Sequence, residues 1–207
     1  MLKPRLWCIG AAVFAIAIDV QAGAQIYEPM AANVRAGLVA AITDKHAPRH
    51  GYANSADAVA WLTEMSERLD RRIPDFRVRL DFLRTLDYEA TRTGIDTQIV
   101  LAVIQVESNF RKYAVSGAGA RGFMQVMPFW VDHIGRNGDN LFDMRTNLRF
   151  GCVILKHYLD MEKGNWTRAL ARYNGSLGKP GYPDLVFRSL RSNWHYDRQS
   201  RSTQSAA

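Results

Sequence analysis

The 207-residue sequence has two cysteines, Cys8 and Cys152. Cys8 heads an apolar run that reads as a removable leader, so one thiol remains and an intrachain disulfide is excluded. Cys152 lies between Gly151 and Val153 in an apolar helical pattern and is expected to be an inert core thiol. No segment alternates apolar and polar residues over a convincing strand length, and nothing repeats at a fixed period, which points to a mainly α fold. The N-terminal apolar run, Leu6 to Ile18, is shorter than the ~20 residues a membrane-spanning helix needs. Finger spacings, zipper heptads and aromatic-basic sheet patterns are missing and the positive charge is dispersed, so no nucleic-acid partner is expected. His46 and His50 are four apart, but Pro48 breaks the helix that would align them; no metal and no cofactor are expected.

What is present begins with Lys3 and Arg5, the apolar run, and Asp19-Val-Gln-Ala-Gly-Ala24, the pattern of a secretory signal peptide over residues 1–24. Cleavage after Ala24 completes an Ala-x-Ala, and Ala22 is the alternative. Cys8 lies at the start of the apolar run rather than after it, out of place for lipidation, so no lipid anchor and no stable membrane insertion are expected after signal removal. The formal charge is +7, and losing Lys3, Arg5 and Asp19 leaves +6. A basic exported protein, periplasmic or secreted, suits an anionic surface. Behind the leader the sequence divides into an N-terminal helical region (25–83), a main domain (84–195) and a polar tail (196–207) expected to be disordered.

Helical periodicity recurs throughout. Val34, Leu38, Ala41 and Ile42 share one face. Ser55 suits an N-cap for a helix carrying Val59, Leu62, Met65 and Leu69, and Pro74 the first turn of another, with Phe76, Leu80, Leu83 and Leu86 inward and Gly94 closing it. Asp96 suits the N-cap of an apolar segment, Ile99 to Val106, whose first charge is Glu107; Ser108-Asn109-Phe110 then propagate a helix poorly. Farther on, Asp143 or Thr146 caps a helix with Leu148, Val153, Leu155, Tyr158 and Leu159. Asn165 caps another from Trp166 to Tyr173, and Pro183 starts the last.

The stretch from Ile95 to Gln125 carries the chemistry. In a helix Glu107 leans on Ile104 and Val103, where desolvation would raise its pKa and keep it protonated, as a general acid requires. Ser116 to Gly122 formally contains Gly-x-Gly-x-x-Gly, but a polar connection from a helix precedes it where a dinucleotide site needs a strand; the glycines instead permit a tight backbone beside Glu107.

Glu107-Ser108, Gly122-Phe123-Met124-Gln125 and Ala171-Arg172-Tyr173-Asn174-Gly175 occur in an order and spacing that resemble the soluble lytic transglycosylases, whose catalytic domain is related to goose-type lysozyme. Ala114-Val115-Ser116, Leu141-Phe142-Asp143, Thr146-Asn147-Leu148 and Trp166-Thr167-Arg168-Ala169-Leu170 agree, and the resemblance covers residues 84–195. It implies a lysozyme-like helical domain with an N-terminal helical extension. The implied activity is cleavage, without water, of the β-1,4 bond between N-acetylmuramic acid and N-acetylglucosamine in peptidoglycan glycan strands, leaving 1,6-anhydromuramic acid ends. Glu107 would act as acid and then base, with Tyr173 directing its hydroxyl at Glu107 or the adjacent sugar. Ser108, Ser116, Met124, Gln125 and Asn174 are the implied substrate-binding residues. Asp132, Asp139 and Asp143 read as solvated or capping residues, so no obvious second acid stands where a hydrolase needs one, about 5–9 Å from the first. Alternatives are a hydrolytic muramidase using the same Glu107, a wall-binding protein with a dead centre, and a specialised wall-opening enzyme acting with an envelope protein complex such as a secretion apparatus. Two departures from the common pattern stand out: Phe123 where an aliphatic residue usually follows the glycine, and Arg172-Tyr173-Asn174-Gly175-Ser176 where Ala-Tyr-Asn-Ala-Gly is common. The segment Leu177 to Tyr182 is also unlike the usual continuation.

Overall fold

Four of the helices begin where a short acceptor side chain takes up amides that a first turn leaves free. A computed structural model describes residues 24–44 and 55–197. In it α1 runs Ala32–Thr43, α2 Ser55–Leu69, α3 Phe76–Thr93, α4 Thr97–Ser108, α5 Phe129–Ile134, α6 Met144–Met161, α7 Trp166–Asn174 and α8 Gly181–Ser189, followed by a π-helical turn, Leu190–Trp194. Asp75 accepts from the amides of Arg77 (2.8 Å) and Val78 (3.0 Å), Asp96 from Gln98 (2.8 Å), Asp143 from Thr146 (2.9 Å) and Asn165 from Arg168 (3.1 Å). The described residues form no strand, only isolated bridges of Arg121 to Val115 and Val126.

The packing is organised around α4. Val100 to Ile104 are fully buried, and α3, α8 and the π-turn pack on this helix. Each such aliphatic side chain contributes about 1.5–3 kcal/mol by leaving water. Outside this centre α6 packs on α3 and α7, α2 on α3, and α1 on α5 and α6. Leu38, Ile42, Trp61, Met65 and Leu69 share one continuous core with α4 and α6, so the sequence division between 83 and 84 falls inside α3, across a shared interior. Buried Glu89 of α3 pairs with Arg92 (2.9 Å) and Arg149 (2.8 Å). The same two guanidiniums donate to the carbonyls of Ala41 and Ile42, tying the end of α1 to α3 and α6.

The expected inward faces need correction in three places. Val59 is 62% and Phe76 58% exposed, and Val34 is exposed as well. The buried rows are Trp61-Met65-Leu69 in α2 and Phe82-Leu86-Ala90 in α3; at about 100° per residue, Val59 and Phe76 fall on other faces. Ser55 lies inside α2 as its first residue. Tyr196, placed at the head of the tail, is buried, and its amide donates to Gln98 Oε1. Cys152 is buried, and burial pushes its thiol pKa far above the usual range. The expected leader up to residue 23, the His46 and His50 pair and the tail from 198 onward lie outside the described residues.

Residues 24–31 precede α1 without helical structure and run against α5 and α7. Tyr27 stacks on His133 of α5, with centroids 4.4 Å apart and planes at 18°, and Glu28 accepts from Arg172 Nη1 at 2.6 Å. At the other end of the described chain, the π-turn closes with the His195 amide donating to Leu190 O (2.7 Å) and aims the buried Trp194 so that Nε1 donates to Gln105 Oε1 (2.7 Å). Among the described residues no helix is long and apolar enough to cross a membrane.

Candidate functional site

Glu107 sits one residue from the end of α4, only 4% exposed. The backbone leaves the helix sharply: Asn109 (φ 47°) and Phe110 (φ 63°) both take the left-handed region. That conformation is unusual for a phenylalanine and costs on the order of 1–3 kcal/mol. Core contacts of the Phe110 ring with Phe82 (5.8 Å) and Trp194 (5.3 Å), and donation from Arg72 Nε to Asn109 Oδ1 (3.0 Å), oppose that cost. The site therefore begins at a strained corner without glycine.

The turn beside it is closed by its own polar groups. Ser116 N donates to Ala120 O and Ser116 Oγ accepts from the Ala120 amide, while Arg121 and Val126 exchange two backbone bonds. Gly122 is required at φ +76°, because an added Cβ would lie 2.5 Å from Leu141 O and overlap the side-chain amide of Asn147. Asn147, fully enclosed in α6, is the clamp: Oδ1 accepts from the Met124 amide, and Nδ2 donates to Arg121 O and Leu141 O, each at 2.8 Å.

Several residues implied as substrate ligands are spent inside this scaffold. Ser108 Oγ donates to Phe123 O (2.7 Å) and Ile104 O (3.2 Å), fastening α4 to the turn. Met124 is fully buried against Gly151, where an added Cβ would meet its Cβ and Cε at 2.7 Å. Gln125 takes a left-handed backbone (φ 48°) and donates Nε2 to Ala114 O (3.1 Å) and Gly122 O (3.0 Å), with 2% of its surface exposed. In this structure none of the three presents a free side chain to a groove. Asn174 is also buried, and its Oδ1 accepts from no described residue.

The expected tyrosine contact falls to a different residue. Tyr173 Oη, fully buried, donates to Met124 O at 2.8 Å. The hydroxyl that reaches the acid belongs to Tyr182 in the first turn of α8, donating to Glu107 Oε1 at 2.6 Å. Burial, and then the charge of Glu107, hold both phenols well above their ordinary pKa, so both remain protonated donors. Tyr182 lies 75 residues from Glu107. Its one sequence signal was its place at the end of the segment that departs from the usual pattern. Asn147 was visible only as part of a matching motif, and Gln25, discussed below, gave no signal.

Of the other carboxylates, Asp132 and Asp184 are exposed, and four are engaged elsewhere. Asp139 Oδ2 accepts from the Arg136 amide, Asp143 caps α6, buried Asp87 accepts from Thr97, and Glu89 is held by its two arginines.

A family model described as the transglycosylase SLT domain matches residues 84–181. Over 118 residues the chain is 29% identical to a transglycosylase of Enterobacteria phage PRD1, covering 54% of this chain and 43% of that relative. It is 32% identical over 118 residues to the membrane-bound lytic murein transglycosylase F of Desulfosudis oleivorans, covering 54% and 24%. The solved structure of an inactive mutant of the lytic transglycosylase Slt from Pseudomonas aeruginosa shares 25% identity and a TM-score of 0.44, over 66% of this chain and 23% of that one. The chain thus spans less than half the length of these relatives. Residues 84–181, which hold Glu107, the clamped turn and Tyr173, are thus the part of the chain that is similar to the transglycosylase SLT domain.

Proposed function

We infer that the protein is an exported lytic transglycosylase that cleaves the N-acetylmuramic acid to N-acetylglucosamine bond of peptidoglycan and leaves 1,6-anhydromuramic acid ends. The observation that carries this reading is the buried acid Glu107 at the end of α4, braced by the Tyr182 hydroxyl, while the two other buried acids among the described residues, Asp87 and Glu89, are held by Thr97 and by two arginines. In the first step Glu107 gives its proton to the glycosidic oxygen, which leaves with the bonding electrons as the substrate's acetamido oxygen supports the anomeric carbon. In the second step the Glu107 carboxylate takes the proton of the muramic acid C6 hydroxyl, whose oxygen closes on that carbon. The proton returns to Glu107 and no water is consumed. General acid and base participation of this kind contributes about 10²–10⁴ in rate. The buried Oδ1 of Asn174, with no partner among the described residues, supports a role for it as acceptor of an amide N–H of the sugar. Export to the periplasm or medium is supported by the leader pattern before Gln25.

The test is the product spectrum of purified peptidoglycan by mass spectrometry, with Glu107→Gln as control. Anhydro ends from the wild type and none from Glu107→Gln are expected. Reducing muramic acid ends alone would replace this reading with hydrolysis.

A further inference from the structure

The residues just ahead of α1 lie far outside the SLT match, yet they are seated against its core. Gln25 is 3% exposed and bonds at both ends of its side chain, Nε2 donating to Gln125 O (3.2 Å) and Oε1 accepting from the Met127 amide (3.1 Å). One side chain therefore grips the carbonyl of the left-handed Gln125 and the Met127 amide, next to the Met124 carbonyl that the Tyr173 phenol holds.

Two of the three departures in the 172–176 motif, Arg172 and Gly175, serve this seating. Arg172, where alanine is common, holds Glu28. Gly175 (φ +75°) leaves room that a side chain would take away: an added Cβ would overlap Ala24 O and lie 2.8 Å from Ala24 C. Gly94 closes α3 with nearly the same φ, +73°, and has nothing within 4 Å of an added Cβ. Left-handed backbone explains both glycines, but only Gly175 is also needed for the approach of a distant segment.

We propose that residues 24–28, which stay in the chain when the leader is cut after Ala22, are a strap that completes the catalytic centre, with Gln25 a positioning residue that fixes the Gln125 peptide, next to the Met124 carbonyl held by Tyr173. The proposal rests on the transglycosylase reading above. It makes activity depend on residues that the SLT domain itself does not contain.

The test compares the full-length protein with Gln25→Met, which keeps the bulk and removes the bonds, with Gly175→Ala, which displaces Ala24, and with Gly94→Ala, which carries the same backbone strain where there is space. Hydrogen exchange at the Met127 amide reads the seating of the strap independently of any activity. Turnover and KM on peptidoglycan strands read its consequence. For Gln25→Met and Gly175→Ala we expect Met127 exchange to quicken and kcat to fall, each by about tenfold or more, the loss of one to two buried hydrogen bonds, with KM unchanged. Gly94→Ala should lower the melting temperature and leave both readouts at the wild-type level. Unchanged exchange in Gln25→Met would overturn the seating, and quickened exchange with kcat within twofold of wild type would overturn the positioning role. A wild-type protein that releases nothing from peptidoglycan would remove the transglycosylase reading and the catalytic half of the proposal, while the exchange data would still decide whether the strap is bound.

Discussion

Replacing Tyr182 by phenylalanine removes one oxygen atom and keeps the ring that α8 buries. The lost contact is a 2.6 Å bond from Tyr182 Oη to Glu107 Oε1 in a water-poor setting. A hydrogen bond to a charged group is worth about 1.5–3 kcal/mol. It strengthens as Glu107 gives up its proton and becomes a carboxylate, so most of its value is spent on the barrier of the first step. At about 1.4 kcal/mol per decade, kcat should fall roughly 10- to 100-fold. The pH profile should move too. Without the donor the ionised carboxyl is less favoured and Glu107 stays protonated to higher pH, so the alkaline limb of kcat, where the acid is lost, shifts to higher pH. The tyrosine itself does not set that limb. Its raised pKa keeps the neutral, donating form present at every pH below the folded value and loses it only above, outside the working range. The assay is chromatographic counting of anhydromuramic ends released from soluble glycan strands between pH 4 and 9, with thermal melts to verify folding. A folded Tyr182→Phe protein with kcat within twofold of wild type and an unmoved profile would refute the role given to this bond.

Asn147→Ala removes three bonds and orphans the Met124 amide and two carbonyls, so a loss of about 3 kcal/mol in denaturant unfolding is expected. Glu89→Gln leaves Arg92 and Arg149 facing each other without a counter-charge in the interior. Breaking a buried pair from one side costs about 3–5 kcal/mol, measurable by urea titration, and an effect under 1 kcal/mol would mean the site rehydrates. His157, half-buried against Trp130 and Tyr158, has its pKa held below 6.5 by burial, with Asp160 and Glu28 raising it and Arg172 lowering it. Since the unfolded chain then binds the proton more readily, His157 leaves stability intact above pH 6.5 and subtracts from it as pH falls through that value toward the folded pKa. Melting temperatures of His157→Gln should accordingly fall less steeply over that range than those of wild type.

The ends of α4 were legible because they depend on local chemistry: an aspartate to accept the first amides, and a Ser-Asn-Phe run that propagates a helix poorly. The burial of Glu107 followed from the run before it, apolar from Ile99 to Val106 except at Gln105. The direction of the turn's side chains did not follow. Met124 and Gln125 are one position apart in the motif, yet both point inward, because the left-handed peptide at Gln125 and the clamp from Asn147 re-aim the chain in a way no periodicity records. Tyr173 and Tyr182 illustrate the same limit. Both are buried, and which phenol meets the acid depends on how α7 and α8 lie against α4, a property of packing between segments distant in sequence.

The π-turn after α8 acquires a mechanical meaning when set beside Tyr182. One end of this segment grips Glu107 through Tyr182, and the other grips Gln105 through Trp194. Two residues of helix separate those grips, about 200° of rotation, so they lie on nearly opposite flanks of α4. Twisting α4 about its own axis in either sense would pull one grip apart and drive the other into its partner. The widened turn supplies the register that lets a single helix hold both flanks, and the aim of the acid is thereby protected against torsion as well as displacement.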